Sequence, residues 1–258
     1  MSAMDKVRVA RAAGRPTGLD FIENIFEEFF ELHGDRRYGD DRAVVAGLAS
    51  LCGMPVTVIA LEKGHTTKEK VARNFGSAHP EGYRKALRQM KLAEKFHRPV
   101  VCFVDTSGAY CGIEAEERGQ GQAIAENLME MMWLNIPVIS ILIGEGGSGG
   151  ALALAVANEV WMLENAVYSV ISPEGCASIL WKDTSKVQQA AESLKLTAQD
   201  LYALGVIERV IPEEGAQELY AGLKQSLYDT LRAYIGSDSN ELAQRRYARF
   251  RNIGGKPQ

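Results

Sequence analysis

The first third of the chain combines a helical hydrophobic pattern with the alternation typical of strands. Aromatic and aliphatic residues recur at helical spacing over 19–32, which predicts an amphipathic helix with Asp20 as its cap. The segments 43–49 and 55–61 have strand patterns and are joined by a short connection around 52–53. We therefore expect a hairpin that contributes to a sheet.

In the middle of the chain, one unit of helix, apolar strand and glycine-rich loop occurs twice. An apolar run without alternation indicates a strand buried on both faces, as in parallel sheets. The two copies comprise a helix over 82–96, a strand over 99–105 and a loop over 106–112, then a helix over 116–133, a strand over 137–143 and a loop over 144–150.

Beyond the second glycine-rich loop, the pattern predicts short elements that pack around the repeated unit. We expect a small-residue helix that ends near 158, strands over 160–163 and 167–171, and helices after Thr197 and after Glu213. Alternation of helices and buried strands is typical of an α/β fold.

A single domain is expected over 1–258, because neither a linker nor a low-complexity segment interrupts this pattern. Residues 1–18 are expected to form an N-terminal arm. Residues from about 240 to 258 are expected to form a basic tail whose end is disordered.

Composition narrows the class of protein. A hydrophobic fraction of 46% can fill a substantial core, and a net charge of -4 gives no general attraction for nucleic acid or anionic membranes. The apolar runs are too short to span a bilayer and no signal-peptide core is evident, so we expect a cytoplasmic protein. Four scattered cysteines without a C-x-x-C pair argue against a zinc ribbon or a disulfide scaffold.

The loop over 144–150 matches two catalytic motifs at once, G-x-G-x-x-G and G-x-S-x-G. A dinucleotide site is supported by the flanking strand and helix and by Glu164, but the motif lies past the middle of the chain and follows a similar loop. A hydrolase would use Ser148 as nucleophile with a histidine after it, as in the α/β-hydrolase order. All the histidines precede Ser148, which disfavours that hypothesis.

A third hypothesis needs no nucleophilic side chain. Glycines at the start of a helix expose backbone N–H groups, and two such donors stabilise an oxyanion that develops during a reaction. Gly146 and Gly147 are the expected donors, with Gly108 and Ala109 of the earlier loop as a further source. The alternative is a tight turn that only packs a helix on a strand.

Several long stretches resemble the alpha family of bacterial acetyl-CoA carboxylase carboxyltransferases. The resemblance extends from about Arg15 to Pro212. The stretches that carry it are 67–70, 73–76, 79–86, 116–120, 144–150 and 168–181.

The resemblance implies a crotonase-like (ClpP/crotonase) fold, a spiral of repeated β-β-α units with outer helices. It also implies an α2β2 heterotetramer with a carboxyltransferase beta subunit, which would carry the acetyl-CoA oxyanion hole and the only zinc ion. Biotin would arrive as carboxybiotin on the biotin carboxyl carrier protein, loaded by biotin carboxylase. The expected activity is transfer of the carboxyl group to acetyl-CoA, which gives malonyl-CoA for fatty acid synthesis.

The family's paired biotin-site glycines correspond to Gly146 and Gly147, and their amides would hold the ureido oxygen left when carboxybiotin releases CO2. Biotin itself would then remove the methyl proton of acetyl-CoA, so no protein base is needed. We expect Gly108, Ala109, Gly144 and Ser148 to contact the substrate. On this basis Gly147→Val is predicted to block transfer while leaving the fold largely intact.

The chain departs from the family pattern where Ser107 and Cys111 replace proline, and where His65 and Thr66 replace arginine and aspartate. Two other functions stay open at this point. One is a non-catalytic scaffold subunit of a carboxylase complex. The other is a crotonase-type acyl-CoA hydratase, for which the acidic residues of 114–117 would supply the acid.

Overall fold

A computed structural model describes residues 1–236 and 239–255 of the chain. The strands are β1 Glu27–Glu31, β2 Val44–Leu51, β3 Met54–Leu61, β4 Val100–Thr106, β5 Val138–Gly147, β6 Glu159–Leu163, β7 Val167–Ser169 and β8 Arg209–Ile211. The helices are α1 Ala3–Ala10, α2 Gly18–Ile25, α3 Thr67–Ala72, α4 Pro80–Lys95, α5 Ile113–Glu117, α6 Gln120–Trp133, α7 Ser148–Leu152, α8 Pro173–Cys176, α9 Val187–Leu194, α10 Ala198–Ala203, α11 Ala216–Tyr234 and α12 Ser239–Asn252.

The strands form one mixed sheet in the order β1-β2-β3-β4-β5-β6-β8, and β7 pairs with the far end of β5. The pairs β1–β2 and β2–β3 are antiparallel, whereas every later pair is parallel. All residues of β4 are buried, as the unbroken apolar pattern predicted for a strand covered on both faces.

The predicted hairpin is confirmed. Strands β2 and β3 pair in register from Val44 with Leu61 to Leu51 with Met54. The connecting residues Cys52 and Gly53 both have positive φ, of 51° and 80°, which is the conformation that a two-residue hairpin turn requires.

The helix predicted over 19–32 is wrong in its second half. Helix α2 ends at Ile25, and the next residues form strand β1 at the edge of the sheet, where Phe30 pairs with Leu48. The helix cap is also different: Thr17 is the N-cap residue, and Asp20 completes a capping box by accepting a hydrogen bond from the Thr17 amide at 2.7 Å. In this segment, hydrogen bonding to the free edge of β2 outweighs the helical preference that the spacing of apolar residues indicates.

Two further helix predictions need correction. The helix predicted over 116–133 is broken into α5 and α6, because Gly119 adopts φ 82° between them. The small-residue helix expected to end near 158 stops at Leu152. The helices predicted after Thr197 and after Glu213 are present as α10 and α11.

The segments expected to be an N-terminal arm and a basic tail both contain helices that pack on the rest of the protein. Helix α1 packs its apolar face, including Val7, against Val167 and Leu196. Most of the expected basic tail is helix α12, whose Arg246 is completely buried. Residues 256–258 lie outside the described part of the chain.

The buried Arg246 lies at the carboxyl end of α6, where its guanidinium donates hydrogen bonds to main-chain carbonyl oxygens. It donates hydrogen bonds of 2.8 to 3.2 Å to main-chain carbonyl oxygens at the carboxyl end of α6 and in the segment that follows, and it donates to Asn158 Oδ1 at 2.6 Å. Burial lowers the pKa of Arg246 to about 10. The carbonyl acceptors are those of Met131, Met132, Leu134 and Ile136.

Within residues 1–236 and 239–255, the helices lack the combination of length and apolarity needed to cross a bilayer.

Candidate active site at two glycine-bearing strand ends

The two glycine-rich segments predicted from the sequence lie side by side. Strands β4 and β5 are parallel neighbours, paired from Val100 with Val138 up to Thr106 with Gly146. Their carboxyl ends therefore emerge at the same edge of the sheet, which is where ligands commonly bind in α/β proteins.

The second segment is not the loop that the sequence predicts. Strand β5 continues through Gly147, because its last residues pair with β7, Glu145 with Val167 and Gly147 with Ser169. Helix α7 begins directly at Ser148, which has a φ of 53°. The predicted oxyanion donors Gly146 and Gly147 thus lie at the end of a strand rather than at the start of a helix.

Glycine is required at this strand end by close main-chain packing. A Cβ atom added at Gly147 would overlap the carbonyl oxygen of Ser107 and would lie 2.9 Å from the amide nitrogen of Gly108. A Cβ added at Gly150 would lie 2.5 Å from the amide nitrogen of Ala109. The backbones of the two segments are therefore in direct contact, with no side chain between them.

This packing corrects one expectation. Gly147→Val was predicted to leave the fold largely intact, but the new side chain would collide with the main chain of Ser107 rather than with substrate alone. The packing alternative therefore applies to Gly147, and its chemical role stays a prediction.

The predicted site residues are brought together but differ in accessibility. Ser148 is exposed, and Gly147, Gly108 and Ala109 are partly buried. Gly146 is buried between Thr106 and Tyr168 in the sheet.

Gly144 is buried against the carboxylate of Asp105, so the structure shows a packing role for it. Its contact with substrate stays a prediction.

A cavity of about 460 Å³ adjoins this strand end. Its walls are mostly apolar, and Arg249, which is paired with Glu208 at 2.6 Å, is the charged residue that lines it. Burial raises the pKa of Tyr168, on the same wall, to about 12. The lining residues are Ser148, Gly149, Leu152, Ala155, Val160, Tyr168, Ser169, Val170, Leu194, Leu201, Val206, Arg249, Phe250 and Ile253.

A series of paired charged side chains also adjoins the glycines, and it was not predicted from the sequence. Lys63 Nζ lies 2.6 Å from Asp105 Oδ1 and 3.9 Å from Glu145 Oε2. Arg11 then joins Glu145 to Glu174, with Nη2 2.7 Å from Glu145 Oε1 and Nη1 2.7 Å from Glu174 Oε1. The only signal in the sequence was that Glu145 adjoins Gly146.

The bonds from Arg11 shift the ionisation of this series of side chains. Burial by itself would lower the pKa of Arg11, but its hydrogen bonds with Glu145 and Glu174 outweigh that effect and raise it. Burial by itself would raise the pKa of Glu174, and the hydrogen bond from Arg11 reverses the shift and lowers it. Both partners therefore stay charged at neutral pH.

The arrangement does not support a serine hydrolase. The His79 ring stacks on the Tyr110 ring with 4.1 Å between centroids, and its Nδ1 atom lies 3.0 Å from the side-chain amide nitrogen of Asn74. The hydrogen bonds of the described residues include none between a histidine and Ser148. The acidic candidates for a hydratase, Glu114, Glu116 and Glu117, are all exposed on α5.

In the part of the chain that the structure describes, histidine, cysteine, aspartate and glutamate side chains form no group of three or more that could hold a metal ion.

Solved structures define the class of fold. The core of transcarboxylase 12S superposes with a TM-score of 0.74 at 19% identity, covering 90% of this chain and 44% of that one. A chain of the Pseudomonas malonate decarboxylase hetero-dimer superposes with a TM-score of 0.65 at 21% identity, covering 83% and 90%. This chain therefore spans less than half of the transcarboxylase chain, and it has the crotonase-like fold expected from the sequence.

Sequence relatives define the family. The model of the acetyl co-enzyme A carboxylase carboxyltransferase-like family matches residues 1–254, so the chain belongs to that family. An acetyl-coenzyme A carboxylase carboxyl transferase subunit alpha of Ruminiclostridium cellulolyticum is 66% identical over 98% of both chains. That of Clostridium acetobutylicum is 56% identical over 98% of this chain and 95% of its own length. The expected enzyme class, a biotin-dependent carboxyltransferase, is confirmed.

A third relative has a different organisation. In Natranaerobius thermophilus, a protein named as subunits beta/alpha is 55% identical over 98% of this chain, which covers 43% of that protein. The alpha-type sequence is thus found fused to a beta-type sequence, which shows that a beta subunit is a partner of this kind of chain.

Proposed function

We propose that this chain binds carboxybiotin at the β4 and β5 strand ends and acts in passing its carboxyl group to acetyl-CoA, giving malonyl-CoA. The observation that carries the proposal is the main-chain contact between Ser107 and Gly147. Because of this contact, backbone groups form the surface of the candidate site. The relatives of the chain are named as carboxyl transferase subunits.

The residues present fit biotin. Its ureido oxygen needs N–H donors as negative charge develops, and the amides of Gly146, Gly147 and Ala109 are the candidates. The Gly108 amide already donates to the hydroxyl oxygen of Thr106 at 3.1 Å. The largely apolar cavity beside Ser148 suits the hydrocarbon part of biotin. When bound, biotin supplies the carboxyl group and the base, so the chain contributes binding and charge stabilisation.

The proposed complex is the α2β2 heterotetramer, with zinc only on the beta subunit, and with biotin carboxyl carrier protein and biotin carboxylase as further partners. An exposed apolar segment beside the site suits a protein partner: Val170, Ile179 and Leu180 are 78%, 66% and 69% exposed. Such side chains become buried when the beta subunit completes the active site.

Reconstitution tests this proposal. The purified chain is mixed with a beta subunit, biotin and malonyl-CoA, and formation of acetyl-CoA is followed. We expect turnover only when both subunits are present. An assembled complex without turnover would instead support the scaffold alternative, and hydration of an enoyl-CoA by the same complex would support the hydratase.

A single variant separates main-chain from side-chain chemistry. Because main-chain amides rather than the Ser148 hydroxyl are proposed to hold the developing charge, Ser148→Ala should lower the transfer rate by no more than about tenfold, the effect of one hydrogen bond. If Ser148 were the nucleophile, the same variant would lower the transfer rate by several orders of magnitude.

A structure with a bound biotin analogue tests the site assignment. A carbonyl oxygen of the analogue away from Gly146 and Gly147 would overturn that assignment.

A further inference from the structure

We propose that Arg11 is a positioning residue that neutralises Glu145 beside the site, so that a negative charge can develop at the adjacent glycines. This inference rests on the proposed function, because it assumes that an anion forms next to Gly146 and Gly147. It assigns a functional role to the N-terminal segment, which lies outside the repeated unit of helix, strand and glycine-rich loop.

The geometry singles out Arg11. It is the C-cap residue of α1, and its Nε and Nη2 atoms lie 2.9 and 2.7 Å from the same oxygen of Glu145, 134 residues away. The third nitrogen bonds Glu174 at 2.7 Å. One guanidinium thus joins the N-terminal helix, the end of β5 and the start of α8.

The position of Glu145 explains why such a residue is needed. Its side chain is only 13% exposed, and Glu145 immediately precedes Gly146 in the chain. Its amide donates to Asp105 Oδ1 at 2.8 Å, which fixes the backbone just before the glycines. An uncompensated, largely buried carboxylate repels an anion that forms at the next residues of the chain.

The local charges nearly balance with Arg11 and do not balance without it. Three carboxylates, those of Asp105, Glu145 and Glu174, face two cations, Lys63 and Arg11. Lys63 is closest to Asp105, so loss of Arg11 leaves Glu145 with a cation only at 3.9 Å. The charge of the cluster changes from one to two excess negative charges.

The experiment uses the reconstituted complex with the beta subunit, assayed with biotin and malonyl-CoA. We expect Arg11→Gln to lower kcat by about ten- to a hundredfold, with little change in KM for malonyl-CoA, since charge rather than CoA binding is altered. Arg8→Gln is the matched control. Arg8 lies on the same helix and is 70% exposed, and among residues 1–236 and 239–255 its one ionic partner is Asp5, so its loss should leave kcat unchanged.

The double variant Arg11→Gln with Glu145→Gln gives the decisive readout. Neutralising Glu145 removes the repulsion, so kcat should recover most of the loss caused by Arg11→Gln alone. If Arg11 served only to dock the N-terminal helix, the double variant would be at least as impaired, because still fewer hydrogen bonds would remain.

Failure of this inference is distinguishable from failure of the proposed function. An active wild-type complex whose Arg11→Gln variant keeps normal kcat, or is not rescued by Glu145→Gln, overturns the role of Arg11 alone. A wild-type complex that assembles without turnover overturns the proposed function itself.

Discussion

The glycine-bearing strand ends and the surroundings of Arg246 both bring main-chain groups from distant segments together, but by opposite means. At Gly147, the backbone of β5 touches the backbone of Ser107 because there is no side chain between them. Around Arg246, one long buried side chain bridges to the carbonyl oxygens at the end of α6. The first arrangement leaves an edge beside a cavity, whereas the second is closed within the fold.

The difference indicates what each region is for. The Nη1 and Nη2 atoms of Arg246 donate to main-chain carbonyl oxygens and to Asn158 of the protein itself, so this region stabilises the fold. The strand ends lie partly exposed and next to apolar space, so this region is suited to a ligand. Variants in the two regions should therefore separate stability from turnover.

The largest effect on stability is expected from Arg246→Met. It leaves several buried carbonyl oxygens without a donor, and each such unsatisfied acceptor lowers the free energy of unfolding by about 1–3 kcal/mol. Urea unfolding measures this loss. Arg245→Met is the control, because Arg245 is exposed and pairs with Glu241 one turn away, worth at most about 0.5 kcal/mol. Equal losses for the two variants would contradict the structural role of Arg246.

A smaller loss of stability but a larger loss of turnover is expected from Gly147→Ala. The added methyl group forces the main chain of Ser107 to move, which costs about 1–3 kcal/mol, and it displaces the proposed amide donors. Transfer per folded complex should fall by at least about a hundredfold. Gly121→Ala, where a Cβ meets no atom within 4 Å, should keep normal transfer. Normal transfer by the Gly147 variant would show that this strand end is not the site.

The smallest effect, and one of opposite sign, is expected from Gly222→Ala. This glycine lies exposed inside helix α11 with nothing within 4 Å of an added Cβ. Replacing it should raise the free energy of unfolding by about 0.5–1 kcal/mol, because alanine loses less conformational entropy on folding. Thermal unfolding measures the gain. A destabilised variant would mean that this glycine too has a packing role.

Several elements followed directly from local sequence patterns. The alternation and turn residues of the hairpin around Cys52 predicted β2 and β3 correctly, since both signals lie within a few residues. The apolar runs that became β4 and β5 predicted parallel, buried strands. The parallel pairing of these strands in the structure places Gly108 and Gly147 at one edge of the sheet.

Other features depended on distant residues. Phe30 lies at helical spacing but belongs to a strand, because the edge of β2 was available for pairing. Gly146 and Gly147 extend β5 because β7 pairs with them. The sequence around Phe30 does not indicate β2 as its pairing strand, and the sequence around the two glycines does not indicate β7.

By itself, the sequence determined the family, the order of most helices and strands, and the pair of glycine-bearing segments that meet beside the cavity. These depend on short-range periodicity, turn chemistry and long matched stretches, all of which are present in a linear chain. Only the tertiary structure decided that Gly147 packs against Ser107, that Arg246 is buried, and that Arg11 reaches Glu145. Each of these contacts joins residues far apart in the chain, where steric fit and charge pairing leave no local pattern.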